Sequence, residues 1–504
     1  MAKGAMPVLV GVDQVTDHWK TTDGADKAPS PKDLCVAASR GALADAGIDA
    51  SEIDTLAVAR LTVESGGQPR YVFGQNSNLP GTIARDIGAK PKHAIYAVAG
   101  GQSSQQLVNE MAGRIYRGES EIALITGSEA NRSMKQAKRA GIELDWKDAD
   151  ELDFEDRGPG PMLLSRTEIK HGMVLPAYFY GVFENVLAHE WGETRSQHRA
   201  SMAALFAKFA AVASQHPKAQ FDTSTFDEDF LATPSKDNYP FADPFLKWLM
   251  AQDNVNQAAA VLLMSDAKAD ALGVPIAKRV YVHGMGEASD DHISVRPKLN
   301  GSWAMNIALN RALDQAGKSA AQIDVFDLYS CFPCAVFSSM NVLGIDHTQD
   351  PRPLTVTGGL PYFGGPGNNY SLHAIVSMAD RMRAQRGQFG LVLANGGWMT
   401  KEAAAVWSTT KPEEFVEVDA MATPDEQVEI DPSPSDGVLE SFTVAYGKDG
   451  PQKAIVFART ATGQRFIGNA SATALPRFLE EVSPIGARIR SEQTDDVNSV
   501  DFVE

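Results

Sequence analysis

Unbroken apolar runs alternate along this chain with stretches whose apolar residues recur at helical spacing. Pro7 to Gln14, Ile53 to Ala59, Ile95 to Val98 and Ile122 to Thr126 read as strands, the last buried on both faces. Between them lie a helix from Ser30 to Ala46, with Pro31 in its first turn and Gly47 after its last, and a second from Gln105 to Tyr116. The alternation resumes later. Asn254 to Met264 is a turn entering a buried strand, Val280 to Ala288 continues that sheet, and Trp303 to Ala316 is a helix. Val325 to Leu328, the helical run Ala374 to Arg383 and the strand Leu391 to Ala394 follow. Strands alternating with helices predict an α/β fold. Between the two series, Ser196 to Ala213 carries alanine and phenylalanine at helical spacing, as a helix packed on both sides does.

The two series resemble each other. Ala42-Leu43-Ala44-Asp45-Ala46-Gly47 corresponds to Ala312-Leu313-Asp314-Gln315-Ala316-Gly317, and each copy is followed by Ile-Asp, Ile53-Asp54 and Ile323-Asp324, at an offset of 270. The strand ending in Gly127-Ser128 has its counterpart ending in Gly396-Gly397 at an offset of 269. Segments recurring in order at one spacing indicate two similar halves. We therefore divide the chain into a first half over 1–130, an inserted cap over 131–250, and a second half over 251–410 whose sheet begins near 254. An acidic, proline-containing linker over 411–435 leads to a small barrel over 436–504. In that last part Phe442–Tyr446, Lys453–Ala458 and Gln464–Ile467 read as short strands before a helical stretch at Leu475–Val482, a pattern that fits an oligonucleotide-binding-type (OB-like) barrel.

Each half also holds a glycine-rich loop ahead of a helix, Val98 to Gln106 and Tyr362 to His373, which would gather backbone N–H groups in one place. Gly66 to Pro80 is a third polar, glycine-rich stretch, expected near a site or an interface. The formal charge of −18 argues against general binding of nucleic acid or an anionic membrane. One local basic cluster, Arg132, Lys135, Lys138 and Arg139, is a candidate for phosphates or a solvated helix face. Three cysteines, Cys35, Cys331 and Cys334, make neither a disulfide scaffold nor a metal knuckle. His171, His189, His198 and His216 lack metal-motif spacing and are expected at surfaces or helix ends; no metal is expected. With no leader and no apolar stretch long enough to span a bilayer, a cytoplasmic location is expected.

Together, the duplicated halves, Gly127-Ser128-Glu129-Ala130, Ala211 to Gln220, Asp327-Leu-Tyr-Ser-Cys-Phe and Gly358-Gly-Leu-Pro-Tyr-Phe-Gly-Gly-Pro366 resemble the thiolase family of acyl-CoA acetyltransferases over roughly Pro7 to Ser408. The likeness is to the sterol-carrier-protein-type branch and to mycobacterial-type thiolase-like proteins with an added C-terminal barrel. It implies a duplicated five-layer α/β fold, a coenzyme A or acyl-CoA ligand, and a homodimer formed through the sheet edge of the first half. It also exposes what is missing. The nucleophilic cysteine of the family falls at or near Gly100, the histidine of its Gly-His-Pro motif on Gly365, and its second cysteine on Ala394. The histidine or asparagine of the fourth loop falls at or beside Tyr329. Cys331 is the one cysteine placed as a relocated nucleophile, or else a structural thiol, while His373 and Asn395 are candidate partners. Gly100, Gly101, Gln102, Ser103, Gly364 and Gly365 are candidate donors to a thioester carbonyl. Two functions follow: an acyl-CoA acyltransferase without the two-cysteine mechanism, or a non-catalytic CoA or acyl-CoA binder, or scaffold subunit of a hetero-complex. A ketosynthase-like condensing enzyme ranks last, because its Cys–His–His or Cys–His–Asn set is not visible in the matching loops.

Overall fold

A computed structural model describes residues 4–66 and 69–503; Gly67 and Gln68, within the third glycine-rich stretch, lie outside the described residues. Two sheets form its centre. The first runs in the order Pro7–Thr16, Asn256–Ser265, Ile122–Ala130, Thr55–Val58, His93–Tyr96, Glu155–Asp156; the second in the order Tyr281–Ser289, Lys401–Ser408, Phe389–Gly396, Val325–Asp327. Each half thus places its opening strand beside its last, then its penultimate, then its second. The helices Ser103–Arg117 and Tyr370–Ala384 lie between the sheets and touch both, while Pro31–Ala46 covers the far side of the first and Trp303–Gln315 the far side of the second. The result is five layers of α/β structure.

The repeated alanines have a packing reason. A side chain at Gly11 would collide with the Ala42 carbonyl and the Ala46 methyl, and one at Gly284 with the Ala312 carbonyl and the Ala316 amide. Glycine on the strand and alanine on the helix let each covering helix approach its sheet closely, so the motif recurs with the contact.

Three expectations are corrected. The strand entered near 254 opens no second sheet: Asn256–Ser265 pairs antiparallel with Pro7–Thr16 and Ile122–Ala130, completing the first. Its run is apolar on both faces, so periodicity says it is buried without saying in which sheet. The edge of the first-half sheet expected to pair with a second copy is covered at its carboxyl end, because Ile95 and Tyr96 pair with Glu155 and Asp156 of the inserted segment. And His198 lies within a helix and is 1% exposed, its ring between Glu193 (2.6 Å) and Glu184 (2.8 Å), whereas His171 caps the helix Arg166–Lys170 as expected, though buried.

The C-terminal strands Asp436–Gly447, Gly450–Arg459, Arg465–Ala470, Arg488–Thr494 and Val497–Phe502 close into a barrel, since the first pairs with both the second and the fourth. The third and fifth are parallel and adjacent; this 1-2-3-5-4 order is the five-stranded OB-like arrangement. Two short strands of the insert, Pro240–Ala242 and Phe245–Leu246, extend its first strand. The fully buried Arg465 gives Nε to Glu440 (2.7 Å) and Nη1 to the carbonyls of Ser294 (3.1 Å) and Arg296 (2.6 Å), tying the barrel to the second half. No described helix is long and apolar enough to cross a membrane.

Candidate functional site

The first glycine loop, the turn after Val325–Asp327 and the end of Phe389–Gly396 meet in the interior. A side chain at Gly101 would lie under 3.0 Å from both the Tyr329 hydroxyl and the Asn395 carbonyl, and one at Gly396 equally close to the Gln102 carboxamide. The volume into which a loop nucleophile would project is therefore filled by protein. Gly100 has φ 143°, a conformation that disfavours any side chain. Ser371 Oγ donates to the Gly101 carbonyl (3.3 Å) and Ser104 Oγ to the Asn368 carbonyl (2.9 Å), so the two glycine-rich loops are stitched together across the middle layer.

Cys331 and Asn395 are brought together. Asn395 Nδ2 lies 3.8 Å from Cys331 Sγ and donates to the Tyr180 hydroxyl at 3.2 Å, while its Oδ1 accepts from the Met399 amide and closes the turn into Lys401–Ser408. That turn is strained: Trp398 and Met399 have φ of 60° and 54°, and Trp398 stacks on Phe179 with ring centroids 4.6 Å apart. Burial pushes the Cys331 thiol up to about 12, with Tyr180 opposing and Glu402 reinforcing the shift. Glu402 pairs with Asn395 across the two strands and is fully buried; neither of its oxygens has a partner among the described residues. Burial shifts it upward from the usual carboxylate range, with Arg296 opposing and Asp290 reinforcing. A thiol held protonated, with no histidine bonded to it among the described residues, is not an activated nucleophile.

The other candidates lie apart from that pair. His373 is fully buried in the middle layer, where Nδ1 meets Gln14 Oε1 at 2.9 Å and Nε2 meets Asn369 Nδ2 at 3.3 Å. Burial drives its pKa down to about 3, and it is a structural neutral imidazole rather than a partner of Cys331. The Gly365 amide, a supposed carbonyl donor, is spent on the Gln252 carbonyl (2.9 Å), and the space beside Gly364 belongs to Gln257. Gln102 Oε1 and Ser103 Oγ are buried without protein partners among the described residues. Of the basic cluster on the helix Asn131–Ala140, Lys135 is paired with Asp253 (2.6 Å), whereas Arg132, Lys138 and Arg139 form no ion pair among the described residues. No metal-holding cluster of His, Cys, Asp or Glu occurs among the described residues.

Sequence reading missed Tyr180, Glu402 and Leu163. The first was visible only as part of an aromatic run, the second only as an acid within Lys401-Glu-Ala-Ala-Ala-Val-Trp407. Leu163 comes from the insert and covers Gly397. No local pattern announces such a lid.

The architecture has relatives. Residues 416–496 match the thiolase-like protein type 1 additional C-terminal domain, a family whose reach includes much of the acidic linker. An acetyl-CoA acetyltransferase of Pseudomonas aeruginosa is 26% identical over 73% of this chain and 91% of its own length. The structure of an acetyl-CoA acetyltransferase from Syntrophomonas wolfei, 17% identical, superposes with a TM-score of 0.57 over 81% of this chain and 100% of its own, a likeness of fold. The crystal structure of a monomeric SCP2-thiolase-like protein type 1 from Mycobacterium smegmatis is 33% identical, with a TM-score of 0.83 and complete coverage of both chains. On that likeness across the core and the added barrel, the chain belongs to the SCP2-thiolase-like proteins of type 1, in the thiolase superfamily.

Proposed function

We propose that this protein binds coenzyme A thioesters and does not carry out thiolase carbon–carbon chemistry. The observation that carries the reading is the crowding of the first glycine loop: Gly100 has φ 143° with the Gln102 carboxamide against it, and at Gly101 the Tyr329 phenol and the Asn395 carbonyl occupy the space a reactive side chain would need. The buried, protonated state of Cys331 and the pairing of the His373 ring with Gln14 and Asn369 support it. Arg132, Lys138 and Arg139 are the cations we assign to the ligand's phosphates, since none is consumed by a carboxylate among the described residues. An acyltransferase with a covalent intermediate would require Cys331 to take over as nucleophile, and the side chain nearest its sulfur, Asn395, is no base; direct transfer between bound thioesters would not involve it. We further infer that the chain works as a monomer, supported by the strand covering the first-half sheet edge and by the monomeric relative.

The test is calorimetric titration with CoA, acetyl-CoA and longer acyl-CoAs, run beside thiolysis and condensation assays and intact-protein mass spectrometry. Saturable binding, no turnover and no acyl adduct are expected. An adduct on Cys331, or turnover lost in Cys331→Ala, would overturn the non-catalytic reading. Absence of binding to any of these ligands would overturn the thioester reading itself.

A further inference from the structure

At the carboxyl ends of the strands Thr55–Val58 and Ile122–Ala130, a cleft of about 180 Å³ opens between the first turn of Pro31–Ala46, residues 61–64 and 70–76, and residues 145–148. Beyond strand ends is where α/β sheets commonly place ligands. Glu129 lines this cleft and is 4% exposed. Its Oε1 accepts from the Thr62 amide (2.7 Å) and the Thr62 hydroxyl (2.6 Å), and among the described residues no group bonds Oε2. A side chain at Gly367 would collide with both Thr62 and Glu129, so the second glycine-rich loop backs the carboxyl and fixes its position.

The lining selects by charge and by polarity. It holds five carboxylates against three cations, and of the cations Lys32 is bound to Asp86 and Asp148, each at 2.9 Å. Of the carboxyl groups, Glu64 is held by Arg60 and Asp148 by Lys32 and Arg85, which leaves Glu129 as the buried carboxyl with an oxygen unbonded among the described residues. Part of its wall is apolar: Leu61, Met134 and Trp146 flank the space, and Val63 and Val72 stand at its mouth, 38% and 43% exposed. The volume falls below the roughly 300–1,000 Å³ of drug-sized sites, which limits the occupant to something small.

We propose that this cleft binds a small hydrophobic ammonium ion, its charge against Glu129 and its hydrocarbon against Val63, Val72 and Trp146. Burial pushes the Glu129 carboxyl up to about 7, Thr62 opposing, so near neutrality much of it carries a proton. On binding, the ammonium keeps its protons, the Glu129 O–H bond breaks, and that proton passes to the buffer, leaving an ammonium–carboxylate pair.

Calorimetry on the full chain at pH 7 with n-hexylammonium, hexan-1-ol and hexanoate tests this. Hexylammonium is expected to bind with a heat that changes with the ionisation enthalpy of the buffer, reporting the released proton, and the other two to bind more weakly. Glu129→Gln keeps an acceptor for Thr62 and should weaken hexylammonium by about tenfold to a hundredfold, the range for a hydrogen bond to a charged group. Val63→Trp, at an exposed position that leaves the fold intact, should block the mouth and abolish binding. Equal binding of hexanoate or hexanol, unaltered binding by either variant, or no saturable heat at millimolar hexylammonium would each overturn the proposal.

Discussion

Restoring a nucleophile to the first loop, by Gly101→Cys, should damage this protein rather than activate it. Gly101 lies outside the left-handed region, so its backbone would tolerate a side chain and the obstacle is space alone. The new Cβ would fall under 3.0 Å from two oxygens, one the backbone carbonyl of Asn395 inside a paired strand, which cannot rotate away. The other is the Tyr329 hydroxyl, on a ring that is 6% exposed and edge-on to Tyr370 at 5.3 Å. Overpacking of this kind costs about 1–3 kcal/mol, and a rigid carbonyl places the cost toward the upper end. Urea unfolding followed by intrinsic fluorescence reads the loss as a lower midpoint at unchanged slope. Adding Tyr329→Phe should recover the phenol's share and leave the carbonyl's. A Gly101→Cys variant as stable as the parent, which also acquires an acyl group from acetyl-CoA, would refute the reasoning and show the loop to be an open cradle.

Three further outcomes are expected. Burial alone would lower the His198 pKa, but Glu184 and Glu193 more than offset it and raise it to about 9 from 6.5. Its contribution, ~3 kcal/mol for a shift of that size, is fully present below pH 6.5 and lost as pH rises through about 9; urea midpoints across pH 6–10 should fall accordingly, and His198→Gln should flatten that fall. Arg465→Met leaves Glu440 to Arg459 and strands the Ser294 and Arg296 carbonyls at the barrel seam, costing ~1–3 kcal/mol for each unmet buried acceptor, and faster proteolysis within 411–435 should report it. With burial raising Cys35 and Cys331 to about 12 and Cys334 upward as well, Ellman's reagent should find no fast thiol in the native protein and three in denaturant; one prompt native thiol would contradict the inert reading of Cys331.

Much of the fold was legible because its packing leaves local marks. The Ala42/Ala46 and Ala312/Ala316 pairs recur because Gly11 and Gly284 press against them, and the short barrel strands are bounded by visible turns. What escaped is long-range choice. The run at Asn256–Ser265 is apolar on every face, so its sequence suits either sheet and only pairing with Ile122–Ala130 decides. The buried setting of His198 was not legible either, because it rests on Glu184, fourteen residues earlier on another helix. At the site, glycine and alanine at the family's catalytic positions were readable directly. That their space is filled was not, because Tyr180 reaches Asn395 across 215 residues and Leu163 reaches Gly397 from the insert.

The helix Pro176–Glu190 explains why the closed site and the added barrel belong together. From one side the Tyr180 hydroxyl accepts from Asn395 Nδ2, and Glu184 accepts from the Cys334 amide at 2.7 Å and meets His198. From the other, Ser441 donates to the Val182 carbonyl at 2.6 Å, and Asn185 donates to the Phe442 carbonyl at 3.0 Å. Gly181 makes this approach possible, since any side chain there would meet Thr443 and the Asp243 carbonyl under 3.0 Å away. One helix therefore seats the barrel with one set of groups and seals the Cys331 region with another. Deleting the barrel would expose an apolar helix face and unpair Asn185 and Val182, loosening the element that carries Tyr180. The barrel is a structural part of the closed core, held by the same helix that closes over the Cys331 region.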